Sequence, residues 1–302
     1  MLRKYASSGG KPGEALPFRR MNHVAFLGTG LLGSAMAERM LAQGDSVTVW
    51  NRTESKAQAL QPLGAVVVRR AADATGADRV HLALTDDAAV DAILAEITPQ
   101  LRRGAVVIDH STTSPVTTKE RIARLARSHV DFLHAPVFMS PQMCRDGKGL
   151  ILVSGASAVF ASVRPALARM TGEVWYLGER GDLAAAFKLF GNSMLFAINA
   201  GLTDVLAMAK NLGVPAEDAL GLFSKFNAGG AIPMRGQKMA RGDFSAMFEL
   251  AMARKDVRLM LEAAGAQPLV VLPALAARMD DAIAAGHGKD DLAAIVAPVL
   301  NS

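Results

Sequence analysis

Residues 24–37 read VAFLGTGLLGSAMA, a short apolar run that breaks into glycines and resumes at helical spacing. Gly28-x-Gly30-x-x-Gly33 therefore stands between a strand pattern and a helix pattern, and a second β-branched run follows at 46–50. The triplet alone is weak, since an ordinary glycine turn also produces it. In a strand–turn–helix–strand setting each glycine has a separate task. The first allows the tight turn, the second lets backbone approach a pyrophosphate, and the third lets helix and strand pack closely. The helix start adds free N–H groups and a positive dipole end for phosphates. Gly28, Thr29, Gly30, Leu31, Leu32 and Gly33 are accordingly expected to form a dinucleotide-binding loop.

The end of the second strand bears on which dinucleotide. An NAD site usually carries Asp or Glu there, about 20 residues on, to hold the ribose hydroxyls. This chain has Asn51 in that place, then Arg52 and Thr53, with Lys56 a turn later. Loss of the carboxylate removes repulsion against a 2′-phosphate, and Arg52 can form charge-assisted bonds to it. The alternative is a solvated loop with Thr53 or Ser55 capping a helix. NADP is the expected cofactor, with NAD less favoured.

Short apolar runs continue to alternate with helix-like segments: 65–68, 79–84 and 105–109, then 131–137, 149–155 and 173–178. Alternation of this kind implies an α/β fold with a parallel sheet covered by helices on both faces. After Gly181 the strand signals stop. Residues 182–212 read as one long, mostly apolar helix, followed by helical stretches near 216–226, 245–264 and 269–285. The expected organisation is a flexible leader at 1–20, a Rossmann-type domain at 21–181, and an all-α domain at 182–302 joined through that helix. A helix apolar nearly all round is buried. One this long predicts a homodimer or a higher homo-oligomer that shares the burial.

Composition narrows the partners. The net charge is +5 over 302 residues, without a dense basic run, and there are two Tyr and two Trp. A base-stacking nucleic-acid platform is not expected; a pocket for a small, anionic molecule is. One cysteine, Cys144, allows no internal disulfide, and no Cys/His spacing suggests a metal site. That fits a reducing, cytoplasmic setting. No uninterrupted apolar run reaches about 18 residues, so no membrane span is expected.

One residue in the long helix stands out. GDLAAAFKLFGNSMLF, residues 181–196, is nearly all apolar yet carries Lys188, with Asn192 one turn later. Positions i and i+4 share a helix face, which Leu195 and Asn199 continue. A lysine snorkelling to solvent would explain it. A nicotinamide enzyme would instead need a proton donor for a carbonyl oxygen, or a base in reverse, and desolvation brings a lysine pKa into a useful range.

Several blocks in order resemble the β-hydroxyacid dehydrogenase family over residues 22–300: GTGLLGSAMA, WNRTESK, DHSTTSP at 109–115, GDLAAAFKLFGNSM, and KDVRL at 255–259. The resemblance implies NADP-dependent hydride transfer at an aldehyde/alcohol carbon, in an interdomain cleft, on a small hydroxyacid- or semialdehyde-like substrate. It implies Lys188 as acid/base, Asn192 as its partner, and Leu84 and Thr85 along the cofactor. Thr112 would approach nicotinamide and substrate, Lys255 the nicotinamide end, and Asp256 would brace that helix. His110 is expected to be a loop residue turned away. The family's substrate loop usually reads A-P-V-S-G-G; here Phe138, Met139 and Ser140 replace S-G-G. The pocket should be drier and less suited to a compact carboxylate, unless Phe138 and Met139 pack inward as core. Imine reductases resemble the same pattern but carry Asp or Tyr in place of the lysine. A non-catalytic dinucleotide sensor is the reading from another class, and such relatives tend to lose the lysine.

Overall fold

The computed structural model describes residues 23–300, and the expected leader lies outside the described residues. Elements alternate as expected: β1 (His23–Leu27), α1 (Leu31–Ala42), β2 (Ser46–Trp50), α2 (Glu54–Gln58), β3 (Val66–Val67), β4 (Arg79–Leu82), α3 (Asp87–Ile97), β5 (Val106–Asp109), α4 (Pro115–Arg127) and β6 (Asp131–His134). The six strands form a parallel sheet in the order β3-β2-β1-β4-β5-β6. Strand order reverses between β1 and β4, the switch point at which open α/β sheets bind ligands.

Burial on both faces explains the continuous apolar strands. On β1, Val24 and Phe26 join one core with Met36 and Met40 of α1. Ala25 and Leu27 join the other with Val90 and Leu94 of α3. This is the period-2 alternation of a strand.

The later β runs do not extend that sheet. β7 (Val137–Phe138), α5 (Pro141–Arg145), β8 (Leu150–Val153), α6 (Ser157–Met170) and β9 (Glu173–Tyr176) build a second, three-stranded sheet, with β7 antiparallel and β9 parallel to β8. Short runs carry no pairing information, so the split into two sheets is not readable from them.

Helix α7 (Leu183–Asn211) runs 29 residues. The two compact units divide inside it, at Phe190 and Gly191. Its first turns belong to the first unit: Ala184 and Ala185 are buried, and Phe187 meets Trp175 edge-on at 5.5 Å. By length and composition α7 could cross a membrane, although Lys188, Asn192 and Asn199 interrupt its apolar run.

The second unit contains the rest of α7 with α8 (Ala216–Gly221), α9 (Ala231–Ala240), α10 (Leu250–Ala264), α11 (Leu272–Ala284) and α12 (Ala297–Leu300). Leu250, Val257, Leu272 and Met279 form its core. Helix α9 departs from the expected pattern, because Pro233 and Gly236 read as breakers. Pro233 lies in the first turn, where its missing N–H leaves no intrahelical bond unmade. Two buried carboxylates organise loops here. Asp204 accepts from the backbone N–H groups of Val270, Val271 and Leu272, and Asp291 from those of Met247 and Phe248.

Candidate active site

The glycine loop lies at the switch point. Gly28 has φ +101°, and a Cβ there would meet the Ala83 carbonyl oxygen at 2.3 Å. A Cβ on Gly33 would meet the Gly28 carbonyl oxygen at 2.0 Å, so this glycine is required by helix–strand contact. Gly30 opens α1 and faces free space, with nothing within 4 Å of where a Cβ would stand. Close packing at Gly33 and open space at Gly30 match the two roles assigned to such glycines. Thr29 is buried, Leu31 stands largely in solvent, and Leu32 packs partly on the core.

Asn51 joins this loop to the next. Its Oδ1 accepts from the Thr29 N–H at 2.9 Å, and its Nδ2 donates to the Thr53 carbonyl at 2.9 Å. The amide thus shapes the loops and brings no negative charge. Thr53 precedes α2 without a side-chain cap. A cavity of ≈ 260 Å³ opens beside Gly30, Asn51, Arg52, Lys56 and Thr85. Thr53 and Leu84 also line it, so the residues expected at the adenosine end, Asn51, Arg52, Thr53 and Lys56, meet Leu84 and Thr85 at one cavity. Trp50 and Ala89 line it as well and were missed. Small residues on the first turns of α3 were a signal, but nothing in the sequence says which face they line. Asp86 caps α3 through the Ala89 N–H at 2.8 Å. That bond, the Thr85 hydroxyl and the nearby Arg52 charge hold its carboxyl below the usual range.

These residues fit an NAD(P) molecule. Gly30 and the α1 start would face the pyrophosphate, and Arg52 and Lys56 would face the adenosine ribose. Bound there, NAD(P) supplies or accepts hydride.

Lys188 leaves α7 toward the second sheet. Its Nζ donates to the Val137 carbonyl at 2.7 Å and lies 4.0 Å from the centroid of the Phe138 ring. Burial pushes its pKa below that of a free lysine. Among the described residues it has no carboxylate partner. Lys188 is half-buried, and its ammonium is held at these two contacts. Phe138 and Met139 part company, as successive residues of an extended segment do. Phe138 turns its face to Lys188, whereas Met139 packs on the core beside Gly149. Ser140 is exposed and caps α5, accepting from the Met143 N–H at 3.2 Å. Thr112 is exposed just past β5.

Asn192 stands one turn beyond Lys188 on the same helix, in the second unit. Lys255 lies on α10 of that unit, paired with Asp256 at 2.6 Å. No group of three or more His, Cys, Asp or Glu side chains among the described residues could hold a metal ion.

His110 is turned away, but into the interior and not into solvent. Its Nε2 lies 2.9 Å from His81 Nδ1, and its Nδ1 lies 2.7 Å from the Ala135 carbonyl. Ser111, next along, accepts from the Leu84 N–H at 2.9 Å. This polar cluster ties together the chain segments leaving β4, β5 and β6. His81 and Ser111 were missed because strand residues on three separate runs give no sign of meeting.

Residues 23–178 match the NAD binding domain of 6-phosphogluconate dehydrogenase. Residues 183–299 match the family described as NAD-binding of NADP-dependent 3-hydroxyisobutyrate dehydrogenase. The chain belongs to the β-hydroxyacid dehydrogenases of the 3-hydroxyisobutyrate dehydrogenase type. Glyoxylate/succinic semialdehyde reductase 1 of Arabidopsis thaliana is 30% identical over 289 residues, spanning 91% of this chain and 98% of that protein. For 2-(hydroxymethyl)glutarate dehydrogenase of Eubacterium barkeri the identity is 25% over 283 residues, spanning 90% and 93%. Among solved structures, the imine reductase from Myxococcus stipitatus in complex with NADP+ has a TM-score of 0.84 at 24% identity, covering 91% of this chain and 98% of that one. At that identity the likeness is one of fold. As a member of this family the chain is an NAD(P)-dependent oxidoreductase.

Proposed function

We propose that this β-hydroxyacid dehydrogenase relative reduces an aldehyde or ketone carbon with NADPH, and that Lys188 is its general acid. The observation that carries the reading is the lysine itself. It is an ammonium group drawn into the protein, held by one backbone carbonyl and one aromatic face, with a lowered pKa and no counter-ion among the described residues. Such a group retains N–H bonds for a substrate oxygen.

The chemistry balances simply. With NADPH held by these residues, its nicotinamide would supply the hydride, with its electron pair, to the carbonyl carbon and be left oxidised. The oxygen takes a proton from Lys188 Nζ, which regains one from water. In the reverse direction the neutral amine takes the hydroxyl proton. Asn192, one turn along, would orient the same oxygen. Thr112 and Ser140 would bind the substrate, and Lys255 would serve the nicotinamide end.

NADP is favoured over NAD by charge: Arg52 and Lys56 line the adenosine-end cavity, and Asn51 leaves it without a carboxylate at the strand end. A homodimer is supported by the exposure of Phe190, Met194, Leu195, Phe196 and Ile198 along α7, since a second copy would cover them. The single cysteine fits a reducing cytoplasm, and the polar breaks in α7 fit a water-soluble dimer helix.

Steady-state NADPH oxidation with glyoxylate, succinic semialdehyde and uncharged aldehydes tests the reading, with Lys188→Ala and NADH alongside. Loss of turnover in Lys188→Ala with NADPH binding intact is expected. Equal activity in that variant overturns the lysine assignment.

A further inference from the structure

We propose that Phe138 is a specificity-determining residue and that the substrate presents an uncharged, apolar substituent to it, not a carboxylate. The proposal rests on the reading of Lys188 as the acid and names the substrate class of that same site.

The segment at 138–140 is where the family resemblance would place carboxylate recognition. Three observations weaken that recognition here. The Phe138 ring lies under the Lys188 ammonium, 4.0 Å from centroid to Nζ. An aromatic face is the negative pole of the ring quadrupole, so it attracts the ammonium and repels an incoming carboxylate. Met139 is turned back onto the core, and its β-carbon sits against the space a side chain at Gly149 would fill. Its thioether offers no donor. Ser140 caps the first turn of α5 through its oxygen and keeps one O–H, a single donor for a group that needs several. A carboxylate beside this segment would be desolvated against a ring and left short of donors, which is unfavourable.

Lys188 does not replace the missing donors. Of its three N–H bonds, one is committed to the Val137 carbonyl, one side of the ammonium lies against the Phe138 ring, and another N–H must meet the reacting oxygen. A carboxylate held on the ammonium would also raise its pKa and oppose the lowering by burial, making a weaker acid. An uncharged group lying on Phe138 leaves that lowering in place. The role of Lys188 is unchanged: its proton would go to the carbonyl oxygen as NADPH, when bound, supplies the hydride to the carbon.

A matched pair of substrates tests this: succinic semialdehyde and its methyl ester, which share the reacting aldehyde and differ in one charge. The wild type is expected to favour the ester by at least about tenfold in kcat/KM, and Phe138→Ser to lose or invert that preference. Phe138→Leu keeps the apolar surface and removes the quadrupole. It should retain the ester preference while the basic limb of its pH profile moves down, because the ammonium loses its aromatic face. Calorimetric binding of succinamate and methyl succinamate to the NADPH-loaded protein reads the same preference without turnover. Preference for the free acid, or a preference unchanged by Phe138→Ser, overturns the proposal in either assay. Failure of the underlying reading shows separately, as full turnover in Lys188→Ala.

Discussion

His81 Nδ1 and His110 Nε2 stand 2.9 Å apart, with the two rings stacked at 5.2 Å inside the protein. Their protons follow from the neighbours. The Ala135 carbonyl can only accept, so His110 Nδ1 carries hydrogen. A neutral His110 then has a bare Nε2, which accepts from His81 Nδ1–H. His81 Nε2 is left bare, buried and without a hydrogen-bond partner. Burial lowers both pKa values, that of His110 to about 4, and the His110 ring further discourages protonation of His81.

Acid stability follows from this pair. Both folded-state values lie below the unfolded value of about 6.5, so the unfolded chain binds more protons beneath that pH. Stability is full above about pH 6.5 and falls as pH drops toward 4. The loss attributable to His110 is roughly 3 kcal/mol. Urea unfolding midpoints at pH 7.0 and 4.5 measure it, and equal midpoints would contradict the buried neutral pair.

Gly33 and Gly30 should respond differently to the same change. Gly33→Ala drives a methyl into the Gly28 carbonyl and should destabilise the fold by about 1–3 kcal/mol, the usual range for overpacking. Gly30→Ala meets open space and should leave the melting temperature of the ligand-free protein nearly unchanged, while weakening NADPH binding. Thermal melts with and without NADPH separate the two. Equal melting losses for both variants would remove the distinction.

Arg52→Ala should act on one cofactor. Removal of a charge-assisted bond to the 2′-phosphate costs about 1.5–3 kcal/mol, which is a tenfold or greater fall in kcat/KM for NADPH. NADH, lacking that phosphate, should be little affected. A parallel fall for both cofactors would show that Arg52 is a loop residue and no discriminator.

Asp204→Ala should cost roughly 2–3 kcal/mol of stability, because three backbone N–H groups at 270–272 lose a charged acceptor in a buried position. These bonds hold the wild-type carboxyl below its ordinary pKa against the cost of burial. Their contribution is present at neutral pH and is lost only below about pH 4. Chemical denaturation of wild type and variant at pH 7 measures the difference.

The legible parts of this protein are those whose signal is local. A strand, a glycine turn and a helix follow one another within 24–42, so backbone sterics and apolar period are enough to place that turn between them. Asn51, Arg52 and Lys56 lie within six residues, and their charge can be read without a fold. Lys188 draws notice because an ammonium amid apolar neighbours needs a reason. Long-range contacts account for what is not legible. Two short β runs look alike in sequence, so whether they join one sheet or two depends on pairing between positions 12 or more apart, as Val137 pairs with Ile151 and Phe138 with Leu150. His81, His110 and Ala135 meet only because three strands lie side by side. Phe138 and Met139 are both large and apolar, and nothing local says which turns to the lysine and which to the core. Packing makes that choice, because a side chain settles where its neighbours leave space, and those neighbours come from distant parts of the chain.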